Sequence, residues 1–158
     1  MPDRNIVVFS GLPFAGKSWM LGKIVQQEGF TDARVIRLDE VFHRLYDNRA
    51  DNHVTKTEHL FKNEEWRNDI FRRIVLGEKL IVSESVMLTR NNHQRVFVEL
   101  AEKAERYVQA IEAEYAERDG IPIPEGLSAV NLKVILCFAS AETIERRANH
   151  LSEERKKD

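Results

Sequence analysis

Eight consecutive residues, Gly11-Leu12-Pro13-Phe14-Ala15-Gly16-Lys17-Ser18, have the types and spacing that hold phosphate. They satisfy the pattern G-x-x-x-x-G-K-[ST] at every fixed position. A glycine-rich turn lets several backbone N–H groups converge on one point. The start of a following helix adds its positive dipole end there, and a lysine adds a full charge. Two acids have the surroundings to act beside such a site. Asp39 ends the run Val35-Ile36-Arg37-Leu38, and Glu84 ends Leu80-Ile81-Val82-Ser83. In open α/β sheets ligands collect at the carboxyl ends of strands, so acids placed there can orient a hydroxyl or a metal's water shell. Asp39 has a second reading as a helix cap ahead of Val41-Phe42-His43-Arg44-Leu45-Tyr46, and the two roles can coexist. Glu84 could equally be a cap or a solvent-facing acid.

These residues need elements to position them. Ile6-Val7-Val8-Phe9-Ser10 is a short apolar, β-branched run that reads as a buried strand. Ser18 to Gln27 reads as a helix, stopped by Gly29. Strand, glycine loop and helix are the context that gives the phosphate pattern meaning. Val35 to Leu38 and Leu80 to Ser83 are the second and third strands, and Leu132-Lys133-Val134-Ile135-Leu136-Cys137-Phe138 is the fourth. Strands alternating with helical segments specify an α/β domain with a parallel sheet between helical layers.

The segment from Tyr46 to Asn63 is polar and aperiodic, as binding loops are. His53 and His59 lack companions at metal-ligand spacing and read as loop histidines. Glu64 to Leu76 places Trp66, Ile70, Phe71, Ile74 and Val75 at helical spacing, with Gly77 as the stop; Trp66 reads as core. A long helical pattern opens at Thr89-Arg90-Asn91-Asn92-His93. Val96, Leu100, Ala104, Tyr107, Ile111 and Tyr115 then step along one apolar face. Its distal half is expected to project and to meet a partner or a second subunit, hence a homodimer through this helix. The segment Asp119 to Gly126, with Pro122 and Pro124, ends it as an internal loop. Ser140 is placed to cap a last helix carrying Arg146, Arg147, Asn149, His150 and Arg155, a cluster that reads either as a phosphate clamp or as a solvated tail.

The bulk numbers bound the function. A chain of 158 residues is one domain's worth, and 42% hydrophobic with 32% charged content is that of an ordinary globular protein. The formal charge of −2 gives no global case for nucleic acid or an anionic membrane. No apolar run is long enough to span a bilayer. Met1-Pro2-Asp3-Arg4 leads directly into the first strand without a signal peptide, and the single Cys137 suits a reducing cytoplasm. Cys137 itself reads as buried packing rather than a nucleophile.

The phosphate loop, Asp39, and Ile81-Val82-Ser83-Glu84-Ser85-Val86-Met87-Leu88-Thr89-Arg90 together resemble the P-loop kinases of small molecules. The likeness is to the zeta-toxin-like and polynucleotide-kinase-like branch of the P-loop NTPases. Ala139 to Arg147 looks like that family's segment leading from the fourth strand into the lid. The resemblance implies a three-layer α/β/α domain over residues 1–158, strand order 2-3-1-4, and a long helix between strands 3 and 4. It implies ATP and Mg²⁺ as cofactors and phosphoryl transfer to a hydroxyl of a small molecule, nucleotide or sugar. Gly11, Leu12, Pro13, Phe14, Ala15, Gly16, Lys17, Ser18 and Trp19 would bind the nucleotide, with Lys17 on the β/γ-phosphates and Ser18 on the metal. Asp39 would orient or deprotonate the acceptor hydroxyl, Glu84 would hold the metal, and Arg90 and Arg147 would contact phosphate.

The sequence departs from the family in four places. Trp19 stands where a hydroxyl residue usually meets the α-phosphate, and Phe14 replaces a small residue. Phe42 occupies the position of an arginine that often follows the second-strand acid, with Arg44 the nearest substitute. The chain stops soon after Arg147 where relatives continue through another strand and helix, as in a C-terminal truncation or a minimal member. These departures keep a second reading open, a nucleotide-binding regulatory or scaffold module with little turnover. A GTPase switch is disfavoured, because neither the D-x-x-G metal motif nor the N-K-x-D guanine-reading motif occurs in the sequence.

Overall fold

The computed structural model describes residues 4–11, 15–46, 59–83, 95–121 and 129–156. Alternation of short apolar runs with amphipathic ones produces β1 (Arg4–Ser10), α1 (Lys17–Ile24), β2 (Arg34–Arg37), α2 (Leu38–Tyr46) and α3 (Glu64–Val75). There follow β3 (Leu80–Ser83), α4 (Val96–Asp119), β4 (Val130–Leu136) and α5 (Ala141–Arg155). All strand pairings are parallel, and the order across the sheet is β2-β3-β1-β4. The expected strand order and the long helix between the third and fourth strands are both present.

The strands at the centre are apolar on both faces because both faces are covered. Ile6, Val8, Leu80 and Val82 pack under α3 and α4 with Trp66, Ile70, Ile74, Phe97 and Leu100. Val7, Phe9 and Ile81 point the other way and meet Leu21 of α1, with Ala15 and Cys137. The period of two along each strand thus feeds two separate cores. Phe61 stacks on Trp66 with ring centroids 5.6 Å apart, and Phe97 meets both edge-on. Trp66 is only 5% exposed, so its reading as core holds.

Several boundaries fall differently from the sequence expectation. Helix α1 stops at Ile24 rather than running to Gln27, and the chain reaches Ala33 through hydrogen-bonded turns. Strand β4 spans Val130–Leu136, so Phe138 lies beyond it and stands exposed. On α4 the buried stripe is Val96, Phe97, Leu100, Ala101, Ala104 and Val108, with Tyr107 and Tyr115 about half exposed. Tyr107 still rests its ring edge on Phe71, at 5.6 Å between centroids, as an amphipathic side chain keeps its hydroxyl wet. No residue of α4 beyond Val108 is buried. The opening of that helical pattern, Thr89 to His93, lies outside the described residues.

The caps follow local chemistry. Asn63 accepts a hydrogen bond from the Trp66 amide at 2.9 Å to start α3, and its amide donates to the Tyr46 hydroxyl at 2.7 Å. Ser140 accepts from the Thr143 amide at 3.1 Å to start α5, as its place in the sequence predicts. No helix among the described residues is long and apolar enough to cross a membrane.

Candidate active site

The register places the site at one edge of the sheet. Arg37 of β2 pairs with Ser83 of β3, Ser83 with Phe9 of β1, and Phe9 with Ile135 of β4. Because all four strands run parallel, their carboxyl ends align along that row. Gly11 follows β1 by one residue, Asp39 follows β2 by two, and Cys137 follows β4 directly. Glu84 follows β3 in the sequence; it and Arg90, Leu12, Pro13 and Phe14 lie outside the described residues.

Both fixed glycines of the phosphate pattern have physical reasons to be glycine, and the reasons differ. A Cβ on Gly11 would lie 2.5 Å from the Cys137 carbonyl oxygen, inside any tolerable contact. The close approach is held by the Cys137 amide donating to the Ser10 carbonyl at 2.8 Å. Gly16 has φ 93° and ψ 16°, a left-handed conformation that turns the loop into α1. Space around it is open, and a Cβ there would come 3.9 Å from an Arg147 guanidinium nitrogen.

That last distance brings the far end of the chain to the loop. Arg147 sits in the second turn of α5, a helix without a buried residue. Its guanidinium reaches across Gly16 to the start of α1. Lys17, the first residue of α1, donates from Nζ to the Gly11 carbonyl at 2.6 Å, spanning the loop from one glycine to the other. Ser18 and Trp19 are exposed in the same first turn. A lysine ammonium at Gly11 and an arginine guanidinium at Gly16 thus stand beside the start of a helix, groups of the kind that hold a multiply charged anion.

Cys137 lies at the rim of this volume and is 8% exposed. Burial pushes its thiol above the ordinary range, and the nearby Lys17 charge opposes that shift without overcoming it. The thiol is therefore protonated packing, as expected from the apolar run around it. Asp39 is exposed in the first turn of α2, one residue inside the helix rather than at the strand end or the cap position. An acid there still complements the helix dipole. Phe42, where the family often has an arginine, is buried in contact with the Tyr46 ring. Among the described residues no cluster of three or more metal-ligating side chains occurs.

Sequence reasoning missed a cleft along β2. The outer edge of β2, together with α2 and α3, forms a cleft of about 320 Å³ lined by Arg34, Arg37, Arg44 and Arg73 among others. Arg73 is held by Asp69 at 2.9 Å and Glu78 at 3.1 Å, and Arg37 has only an exposed 3.5 Å pair with Glu40.

No protein-family model matches the sequence, and no curated protein matches it significantly. Solved structures do resemble it. The Pnkp1/Rnl/Hen1 RNA repair complex contains a chain that superposes with a TM-score of 0.51 at 12% identity. The likeness is one of fold. It covers 95% of this chain but only 38% of that one, so the present chain spans well under half the length of its structural neighbour. An unliganded sugar kinase from a Janibacter species aligns over 96% of this chain and 95% of its own, at 14% identity and a TM-score of 0.40. The arrangement of sheet and helices is shared with the chain of the repair complex, whereas the chemistry has to be argued from the residues.

Proposed function

We propose that this chain binds a nucleoside triphosphate, in the first place ATP, and transfers its terminal phosphoryl group to a hydroxyl of a small molecule, nucleotide or sugar. The observation that supports the reading is that the Lys17 ammonium sits on the Gly11 carbonyl and the Arg147 guanidinium lies beside Gly16, the two fixed glycines of the loop, at the sheet edge after which Asp39 also follows. Lys17 exchanges the Gly11 carbonyl for the β/γ-phosphate oxygens, and Arg147 donates to the group in transfer. Asp39 accepts the hydrogen of the acceptor hydroxyl and aims its oxygen in line. Most of the acceleration then comes from positioning and from neutralising charge.

The donor set fits a hard cation. The exposed Ser18 hydroxyl in the first turn would hold Mg²⁺, with Glu84 as the second-ranking ligand through water. When bound, the cation neutralises charge on the phosphate oxygens. Arg90 is assigned to phosphate or substrate by resemblance alone.

Two variants test the reading. Lys17→Ala should abolish both ATP binding and transfer. Asp39→Asn should keep ATP-dependent thermal protection yet lose transfer to any acceptor found in a panel scored by phosphate incorporation. Undiminished transfer in Asp39→Asn would remove the acid from the mechanism.

A second reading, a nucleotide-binding scaffold that associates through α4, is favoured by the unburied stretch of that helix beyond Val108. It requires that ATP protect the protein thermally while no acceptor speeds ATP consumption, and that sedimentation reveal a concentration-dependent dimer.

A further inference from the structure

Two aromatic side chains flank the phosphate loop, and the fold uses neither. Trp19 is 66% exposed and Phe138 is 83% exposed, the two most exposed aromatic rings among the described residues. Single exposed apolar residues are ordinary on a protein surface. The placement of these two is what calls for a cause. Phe138 follows Cys137, whose carbonyl abuts Gly11 at the entry of the loop. Trp19 follows Ser18 at its exit, in the first turn of α1.

The direction of Trp19 follows from helix geometry. Leu21 is buried, and Met20, Ile24 and Val25 pack towards the sheet. At about 100° per residue, Trp19 lies on the far side of the helix from Leu21. Side chains in a helix lean towards its N-terminus, so the indole leans towards the start of α1, where the loop enters. The Lys23 ammonium lies 5.6 Å from the ring centroid. An indole that is 66% exposed offers a stacking face.

We infer that Trp19 is the platform on which the nucleobase of the bound nucleotide stacks, making it a specificity-determining residue for the donor. This rests on the phosphate-loop reading above. A triphosphate whose terminal groups are held at Lys17 lays its inner phosphate on the first-turn amides, at Ser18 and Trp19. The nucleoside then leaves the loop within one side chain's length of the indole. A hydroxyl at position 19 would bind only phosphate; an indole there trades that hydrogen bond for contact with the base. Phe138 extends the apolar surface on the loop's other flank.

The test compares Mg-ATP with Mg-tripolyphosphate, which offers the same anion without a base. Trp19 and Trp66 are the only tryptophans, and Trp66 is buried between Phe61 and Phe97, so a change in tryptophan emission reports on position 19. ATP should quench the emission, and tripolyphosphate should bind calorimetrically without quenching. Trp19→Ala should bind tripolyphosphate like the parent but lose about tenfold in ATP affinity, within the range for removing one base–aromatic stack. Trp19→Phe should restore most of the loss. ATP binding without quenching, or an ATP affinity within twofold of the parent in Trp19→Ala, overturns the assignment. If neither ligand binds the parent protein, the phosphate-loop reading falls and the stacking role falls with it.

Discussion

Replacing Gly11 by alanine tests whether the phosphate loop is shaped by a strand that the sequence places at the opposite end of the chain. The new Cβ would meet the Cys137 carbonyl oxygen at 2.5 Å and its carbonyl carbon at 3.3 Å. Both are backbone atoms, so no side chain can swing away. Relief requires the ends of β1 and β4 to part, which breaks the 2.8 Å hydrogen bond from the Cys137 amide to the Ser10 carbonyl. Losing that bond costs about 1 kcal/mol. The φ of 156°, awkward for an L side chain, adds roughly 1–3 kcal/mol. A total of about 2–4 kcal/mol lowers the melting temperature of a domain this size by about 5–15 °C. Gly16→Ala is the control, since the site is open and only the left-handed backbone resists. Its cost is about 1–2 kcal/mol. Thermal melts with and without saturating Mg-ATP give both readouts. Gly11→Ala should be the less stable variant and should lose the ATP-induced shift. A melting temperature within about 2 °C of the parent, or a larger drop in Gly16→Ala, would refute the claim that the two strand ends constrain the loop.

Two further outcomes follow from features remote from phosphate. Asn63→Ala removes both the cap on the Trp66 amide and the donor to the Tyr46 hydroxyl, and should lower stability by about 1–2 kcal/mol in urea unfolding with an unchanged m-value. For Cys137, burial holds the folded-state thiol above its ordinary value, so the folded chain keeps its proton to higher pH than the unfolded chain does. Stability is thus fully present below the ordinary thiol range and falls as pH rises through it. Iodoacetamide should alkylate Cys137 slowly in the native protein, at a rate that rises in step with unfolding; fast native labelling would contradict its burial.

Much of the fold was legible because its signals are local. Four apolar runs gave four strands, and the loop pattern between Ser10 and Trp19 gave the turn into α1. The order of the strands came through the family resemblance, since no local signal tells β1 that β3 and β4 will flank it. Boundaries slipped where two local preferences compete. Asp39 can end a strand, cap a helix or sit in its first turn, and burial of Leu38 and Phe42 against the sheet selects the last. On α4 the sequence puts Tyr107 on the buried face, but Val108 takes that place because a phenol hydroxyl keeps to the water. The site was partly legible for the same reason. Lys17 and Gly16 stand out by spacing, whereas among the basic residues of α5 only the family resemblance singles out Arg147, whose guanidinium the fold sets beside Gly16. The arginine cleft beside β2 combines residues from three elements, so no single window of sequence contains it.

The contact between Gly11 and Cys137 also dictates when the phosphate loop can exist. Gly11 and Cys137 stand far apart in the sequence, yet the loop leans on the chain just after β4. Until β4 docks along β1, the Gly11 end has no partner and the sheet edge beside it is bare. Pairings this distant in sequence form late and slowly. A nascent chain that has emerged only through α4 would display the complete phosphate pattern without the shape to use it. Under the proposed function, nucleotide binding is a property acquired at the end of folding, and ligand-dependent protection should appear in a refolding experiment only with its final phase.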